Sequence, residues 1–275
     1  MCAAPALRSS TEFLNLDRHG DTDRWSLPLT PAIGGGGGSL FGGAGLAAGI
    51  QAIELTTGRP AVWATGQYIA RTQPGEVLDL EVTIPSQGYT VSQGRMVGHV
   101  GDREIITVLA AVGERPEKAR GIWATPADVP NPDECEPLIR SFGDLDEEES
   151  MHNHVDIRVA RGMFGFVEGG TPSGDERTTI WSRMPGVRND PGALAIMADY
   201  GPSALGNALG EQTSCTSIDN TIRFADSDTS DGAWVQLDNQ IEFIGNGFAH
   251  GTTLMWSQDG QLLAVASQSM IVRSS

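Results

Sequence analysis

The sequence predicts an α+β protein built from two similar halves. Three observations carry this. Residues 77–85 alternate, with Val77, Asp79, Glu81 and Thr83 set against Leu78, Leu80, Val82 and Ile84, the two-residue period of a half-buried strand. The stretch Phe41–Leu55 is apolar and small despite its glycines, which reads as a buried helix that lets neighbouring backbone come close. The order of one helix followed by several strand-like runs then recurs after residue 150.

Taken in order, residues 1–40 read as an irregular leading segment, with a flexible glycine run at 34–38. The helix at 41–55 ends before Gly58-Arg59-Pro60. Strand-like runs follow at 61–70, 77–85, 89–100 and 104–112, giving an antiparallel meander. Residues from 113 to about 150 break the pattern. They hold Pro116, Pro126, Pro130, Pro132 and Pro137 and end in Asp144-Leu145-Asp146-Glu147-Glu148-Glu149, a linker draped over the surface by composition.

In the second half, 155–160 and 178–182 read as strands. Asp190-Pro191 opens a helix, with aspartate as N-cap and proline in the first turn. Ala193–Ala198 continues it, and Pro202 kinks or ends it. Strands are expected at 217–224, 234–243, 247–256 and 262–272, the last two joined through the turn Ser257-Gln258-Asp259-Gly260. The expected units are 1–114, a linker at 115–150, and 151–275.

Composition narrows the function. A net charge of −17 argues against nucleic acid and against an anionic membrane surface, since both would be repelled. An anionic small ligand would need local arginines, with Arg71, Arg95, Arg103, Arg183 and Arg188 as candidates. No run approaches the ~18 apolar residues of a membrane span. Met1-Cys2-Ala3-Ala4-Pro5 lacks the pattern of a secretory signal. Three scattered cysteines, Cys2, Cys135 and Cys215, suit a reducing compartment, here the cytoplasm, rather than a disulfide framework or a zinc cluster.

Two polar groups stand inside apparent strands. Asp219 lies in Ser217-Ile218-Asp219-Asn220, and Gln268 closes Gln261–Ser267. Burying a carboxylate or an amide is costly unless it is paired. The first half repeats the pattern without them, with Gly66 in the place of Asp219 and Ala110 in the place of Gln268. Chemistry confined to one copy of a duplicated fold is the simplest reading.

Several motifs in this order resemble the acyl-CoA thioesterase II family. Leu40-Phe41-Gly42-Gly43 matches the opening of its first helix, and Ala64–Arg71 with Pro74-Gly75 approximates a following strand. So does Gly88–Arg95 for a later one. Ser217-Ile218-Asp219-Asn220, Gly247-Phe248-Ala249-His250-Gly251, Gln258-Asp259-Gly260 and Ala266-Ser267-Gln268 match the second half more closely. The resemblance implies a double hotdog, two helix-wrapped antiparallel sheets in one chain. It implies an acyl-CoA thioesterase that hydrolyses a fatty acyl-CoA to free acid and CoA, without a cofactor or a metal.

By this resemblance, Asp219 and Gln268 hold the hydrolytic water. A family hydroxyl is expected within Val235–Ile241, where Asn239 or Gln240 stands instead. The amides at the start of the first helix would bind the carbonyl oxygen, with Phe41, Gly42 and Gly43 against the substrate and His250 nearby. A non-catalytic acyl-CoA or acyl-chain binding protein is the alternative, favoured by the absent hydroxyl. Analogy adds a homodimer or higher homo-oligomer.

Other patterns carry less. Gly43-Ala44-Gly45-Leu46-Ala47-Ala48 satisfies a loose dinucleotide fingerprint, but no strand precedes it. Gly201-Pro202-Ser203-Ala204-Leu205 lacks the final glycine of a nucleophile elbow. His152 and His154 have no evident partner set for a metal.

Overall fold

The alternation at 77–85 becomes a strand whose Leu78, Leu80 and Val82 are buried while Val77, Asp79, Glu81 and Thr83 are exposed. It is one of thirteen strands in a computed structural model that describes residues 6–138, 149–225 and 232–273. The chain runs α1 (Ser10–Leu14), β1 (Asp17–Arg18), β2 (Arg24–Pro28), α2 (Gly42–Thr57), β3 (Ala61–Tyr68), β4 (Val77–Gln87), β5 (Val91–Val100) and β6 (Arg103–Gly113). Then come β7 (Asp156–Arg161), β8 (Arg177–Arg183), α3 (Pro191–Ala198), α4 (Ala204–Leu209), β9 (Ser214–Ser217), β10 (Asp219–Phe224), β11 (Val235–Gly245), β12 (Phe248–Ser257) and β13 (Leu262–Arg273).

The strand order is β1-β2-β4-β5-β6-β3-β10-β13-β12-β11-β8-β7, with β9 also on β13. All named pairs are antiparallel. Each half repeats one plan. The strand after the helix lies beside the last strand of the meander: β3 beside β6, and β10 beside β13. The halves meet where β3 pairs with β10, from Asp219 opposite Gln67 to Arg223 opposite Trp63. Thus, where two sheets were expected, the halves share one continuous sheet. Edge strands with free N–H and C=O groups invite such pairing.

The leading segment is more ordered than its composition suggests. Ser9 caps α1 and accepts from the Glu12 amide, while Glu12 reaches back to the Ser9 amide. Trp25 and Leu27 alternate with exposed or half-exposed neighbours and seat β2 on β4. This run is too short for its period to stand out among the glycines and prolines around it.

Helix α2 is buried from Gly43 to Ile53 and packs on β3, β5 and β6, and also on α3. Side chains such as Leu46, Ile50 and Ile53 are fully buried, each worth about 1.5–3 kcal/mol. The close α2–α3 approach depends on Gly43. A Cβ there would stand 2.8 Å from Ile196 Cα and 2.9 Å from Asp199 Cβ. Residues 126–137 lie over β8 and β11. Gln236 exchanges two hydrogen bonds with the Ala127 backbone, and Trp181 Nε1 donates to Pro130 O. Cys135 and Cys215 are free thiols, and Cys2 and the acidic run at 144–148 lie outside the described residues. Among the described residues no helix is long and apolar enough to cross a membrane.

Candidate active site

Helix α3 is buried along all eight residues and ends on Asp199 as its C-cap. A carboxylate at the end of its own helix meets the negative pole of the dipole. Here the antiparallel packing places it against the positive pole of α2. The Gly43 amide donates to Asp199 Oδ2 at 2.7 Å. The other carboxylate oxygen receives Gln268 Nε2 at 2.7 Å and Asn220 Nδ2 at 3.4 Å. Burial pushes Asp199 up to about 6, while the bonds from Gly43, Gln268 and Asn220 pull the other way.

Gln268 donates a second bond from the same nitrogen, to Ser217 Oγ at 2.7 Å. Both protons of the amide are therefore used to tie a carboxylate to a hydroxyl. Since Ser217 accepts this bond, its own proton is free for another acceptor. Gln268 is 7% exposed, and its Oε1 is buried with no protein partner among the described residues. That oxygen shares the surroundings of Gly201 with Asn239 Oδ1, which accepts from Thr253 Oγ1 at 2.8 Å.

Asp219 is engaged elsewhere. The pairing to β13 shifts by one residue between β9 and β10, from Ser217 opposite Met270 to Thr221 opposite Ser267. Asp219 Oδ1 fills the gap by accepting from the Ser269 amide at 2.7 Å. A side chain that completes a ladder at a bulge has a structural duty. The expected single strand at 217–224 is accordingly two, broken at Ile218.

A cavity of about 320 Å³ opens onto Asp199 and Ser217. Leu40, Phe41, Ile69, Ile105 and Ile106 give it apolar walls, and exposed Arg71 also lines it. Gly42 and Tyr68 complete the side nearest Asp199. Phe41, the N-cap of α2, packs against Tyr200 and His152 with ring centroids 5.5 and 5.7 Å away. Of the other candidate arginines, Arg103 pairs with Glu76 and bonds the Arg71 carbonyl, and Arg183 pairs with Asp156 and lies over Trp234.

Of the residues singled out by sequence, the structure brings together Gln268, Phe41, Gly42 and Gly43, with Asn239 beside Gln268. It does not bring Asp219, Gln240 or His250 into the cluster. Gln240 accepts from Arg177 at 2.6 Å on the opposite face of β11. His250 stacks on Phe243 and meets Ser269 Oγ on the exposed side of β12. Sequence reasoning missed Asp199 and Ser217. Ser217 stood inside the quoted motif, two residues before Asp219. Asp199 gives one signal, a carboxylate directly after a fully apolar helix.

Known proteins match the fold. A profile of the acyl-CoA thioesterase C-terminal domain matches residues 132–272. A crystal structure of a candidate thioesterase from Novosphingobium aromaticivorans is 30% identical, with a TM-score of 0.81, covering 99% of this chain and 100% of that one. A hotdog-fold protein from Alicyclobacillus acidocaldarius is 18% identical, with a TM-score of 0.81 and coverage of 97% and 98%. An acyl-CoA thioesterase II from Mycobacterium marinum is 18% identical, with a TM-score of 0.74 and 97% of both chains covered. No curated protein matches the chain. Fold and site thus define a hotdog protein with a buried acid–amide–hydroxyl cluster. The chain belongs to the acyl-CoA thioesterase family, a family of thioester hydrolases.

Proposed function

We propose that the protein hydrolyses a fatty acyl-CoA to free acid and CoA with a water activated by Asp199. The observation that carries this is the single Gln268 amide nitrogen donating to both Asp199 and Ser217 at the floor of a cavity. Asp199 is the general base. Its pKa near 6 leaves it ionised at neutral pH yet basic enough to accept a proton. Ser217 supplies the second hydrogen bond to the water, and Gln268 holds both groups in register.

Water oxygen attacks the thioester carbonyl carbon as Asp199 takes a proton from it. The carbonyl electrons move onto oxygen, where the Gly42 amide at the start of α2 offers a donor and the helix a partial positive charge. Collapse of this tetrahedral species re-forms the carbonyl and breaks the carbon–sulfur bond. The proton on Asp199 returns to the thiolate, leaving acid and thiol. No covalent enzyme intermediate is needed. The apolar walls of the cavity suit the acyl or pantetheine chain, and Arg71 suits the anionic end of CoA.

The non-catalytic alternative rested on a missing hydroxyl, and Ser217 occupies that role in this reading. The repeated plan of the two halves supports a double hotdog with units at 1–114 and 151–275 joined by 115–150. Exposed Phe243, Phe248 and Ile271 share one face of β11–β13, which supports assembly into a homodimer or a larger oligomer. A monomeric mass in light scattering would count against that assembly. The activity itself is tested by free-thiol release from acyl-CoAs, short to long. Turnover lost in Asp199→Ala supports the proposal; a folded wild type inactive on the whole panel contradicts it.

A further inference from the structure

Tyr68 ends β3 at the junction between the halves, where its ring lines the cavity beside Gly42 and Asp199. The ring is partly exposed, but the hydroxyl oxygen is buried, and no described residue meets it in a well-formed hydrogen bond; the Asn220 side chain and Asp199 are its polar neighbours. Buried hydroxyls are normally bonded, and one left without a well-formed bond at a reactive site calls for a further partner. A Cβ built on Gly42 would stand 3.0 Å from Tyr68 Oη and 2.9 Å from Asp199 Oδ2. The phenol and the carboxylate thus both crowd the first position of α2, and only the absent side chain of Gly42 lets them reach it together.

Resting on the thioesterase reading above, we propose that the Tyr68 hydroxyl is a catalytic hydrogen-bond donor to the thioester carbonyl oxygen, acting beside the Gly42 amide as an oxyanion hole. The Gly42 amide is the first of α2 and has no partner among the described residues, as expected of a helix N-terminus. The nucleophilic water already has Asp199 and Ser217, whereas the developing oxyanion would otherwise have the helix start alone. Burial and the nearby Asp199 charge push the phenol well above its usual range, so it stays a neutral donor while Asp199 is ionised. The role also accounts for a buried hydroxyl left without a well-formed bond. In the resting protein it has at most a weak contact with Asn220, and its full bond forms when charge reaches the carbonyl oxygen.

The test is Tyr68→Phe, which keeps the ring and removes one oxygen. Thiol release from the best acyl-CoA of the panel should show kcat lower by about 10²–10³-fold, the usual effect of losing one oxyanion donor, with KM changed much less. The melting temperature should change little, because no well-formed resting hydrogen bond is lost. Affinity for a trifluoromethyl ketone analogue of acyl-CoA, whose hydrate carries the tetrahedral oxygen, should fall in step with kcat/KM. Unchanged kcat, or unchanged analogue affinity despite a slower enzyme, would overturn the proposal while leaving the thioesterase reading intact. A wild type inactive on every acyl-CoA would overturn both.

Discussion

Gln268 Nε2 lies 2.7 Å from Asp199 Oδ1, joining the end of a buried helix to the last strand of the sheet. The two residues are 69 positions apart in sequence. Their contact exists because α3 runs inward to the start of α2 and because β13 passes beneath that point. The same nitrogen reaches Ser217. Removing the amide should therefore loosen the carboxylate and the hydroxyl together. Gln268→Ala is expected to lower kcat by about 10²-fold or more, and Ser217→Ala by a smaller factor. The double variant should lose less than the product of the two, because residues in one network are not additive. Multiplicative losses in thiol-release kinetics would show that they act separately.

Activity should depend on pH through Asp199. Burial holds its pKa near 6, and only the ionised form accepts a proton from water. The logarithm of kcat should thus rise with unit slope below about pH 6 and level off above it. A profile flat from pH 4 to 8, or one centred near the ordinary carboxylate value of about 4, would remove Asp199 as the base.

Glu54 predicts a separate pH effect, on stability. It accepts from the Ala61 amide at 2.6 Å and from Gln51 Nε2 at 2.7 Å, yet burial dominates and raises it to about 7. The folded protein then binds this proton more tightly than the unfolded chain does. The contribution is fully present below about pH 4.5 and is lost as pH rises through about 7. Between about pH 5 and about pH 9, wild type should lose roughly 2–3 kcal/mol more than Glu54→Gln in denaturant titrations. Equal losses in the two proteins would refute this.

Gly43 ties the fold to the chemistry. Its missing Cβ lets α2 and α3 touch, and its amide holds Asp199. In Gly43→Ala the added methyl would meet Ile196 backbone and the Asp199 side chain, so the helices must separate. A loss of about 1–3 kcal/mol is expected, the usual result of overpacking. A kcat defect should accompany it, since the carboxylate moves with the helix. A destabilised variant with unaltered kcat would mean that the α2–α3 spacing does not position the base.

Much of the fold was legible because period and punctuation are local. The alternation at 77–85, the small-residue helix at 41–55 and the Asp190-Pro191 helix start all reappear, with ends moved by a few residues. The joining of the halves into one sheet was not legible, since pairing of β3 with β10 leaves no mark in either strand alone. The site was half legible. Gln268 stood out as a lone amide in an apolar strand. Asp219 stood out for the same reason, but a carboxylate that completes a bulge and one that faces a cavity look alike in sequence. Only the placement of Asp199 by helix packing separates them.

Thiol release by Asp199→Asn and Asp219→Asn, compared side by side, tests the central claim most directly. Each change removes a charge and keeps the shape. The geometry predicts that Asp199→Asn loses at least about 10³-fold in kcat, while Asp219→Asn stays within about tenfold of wild type. The opposite ranking would place the chemistry on the strand and contradict the site described above.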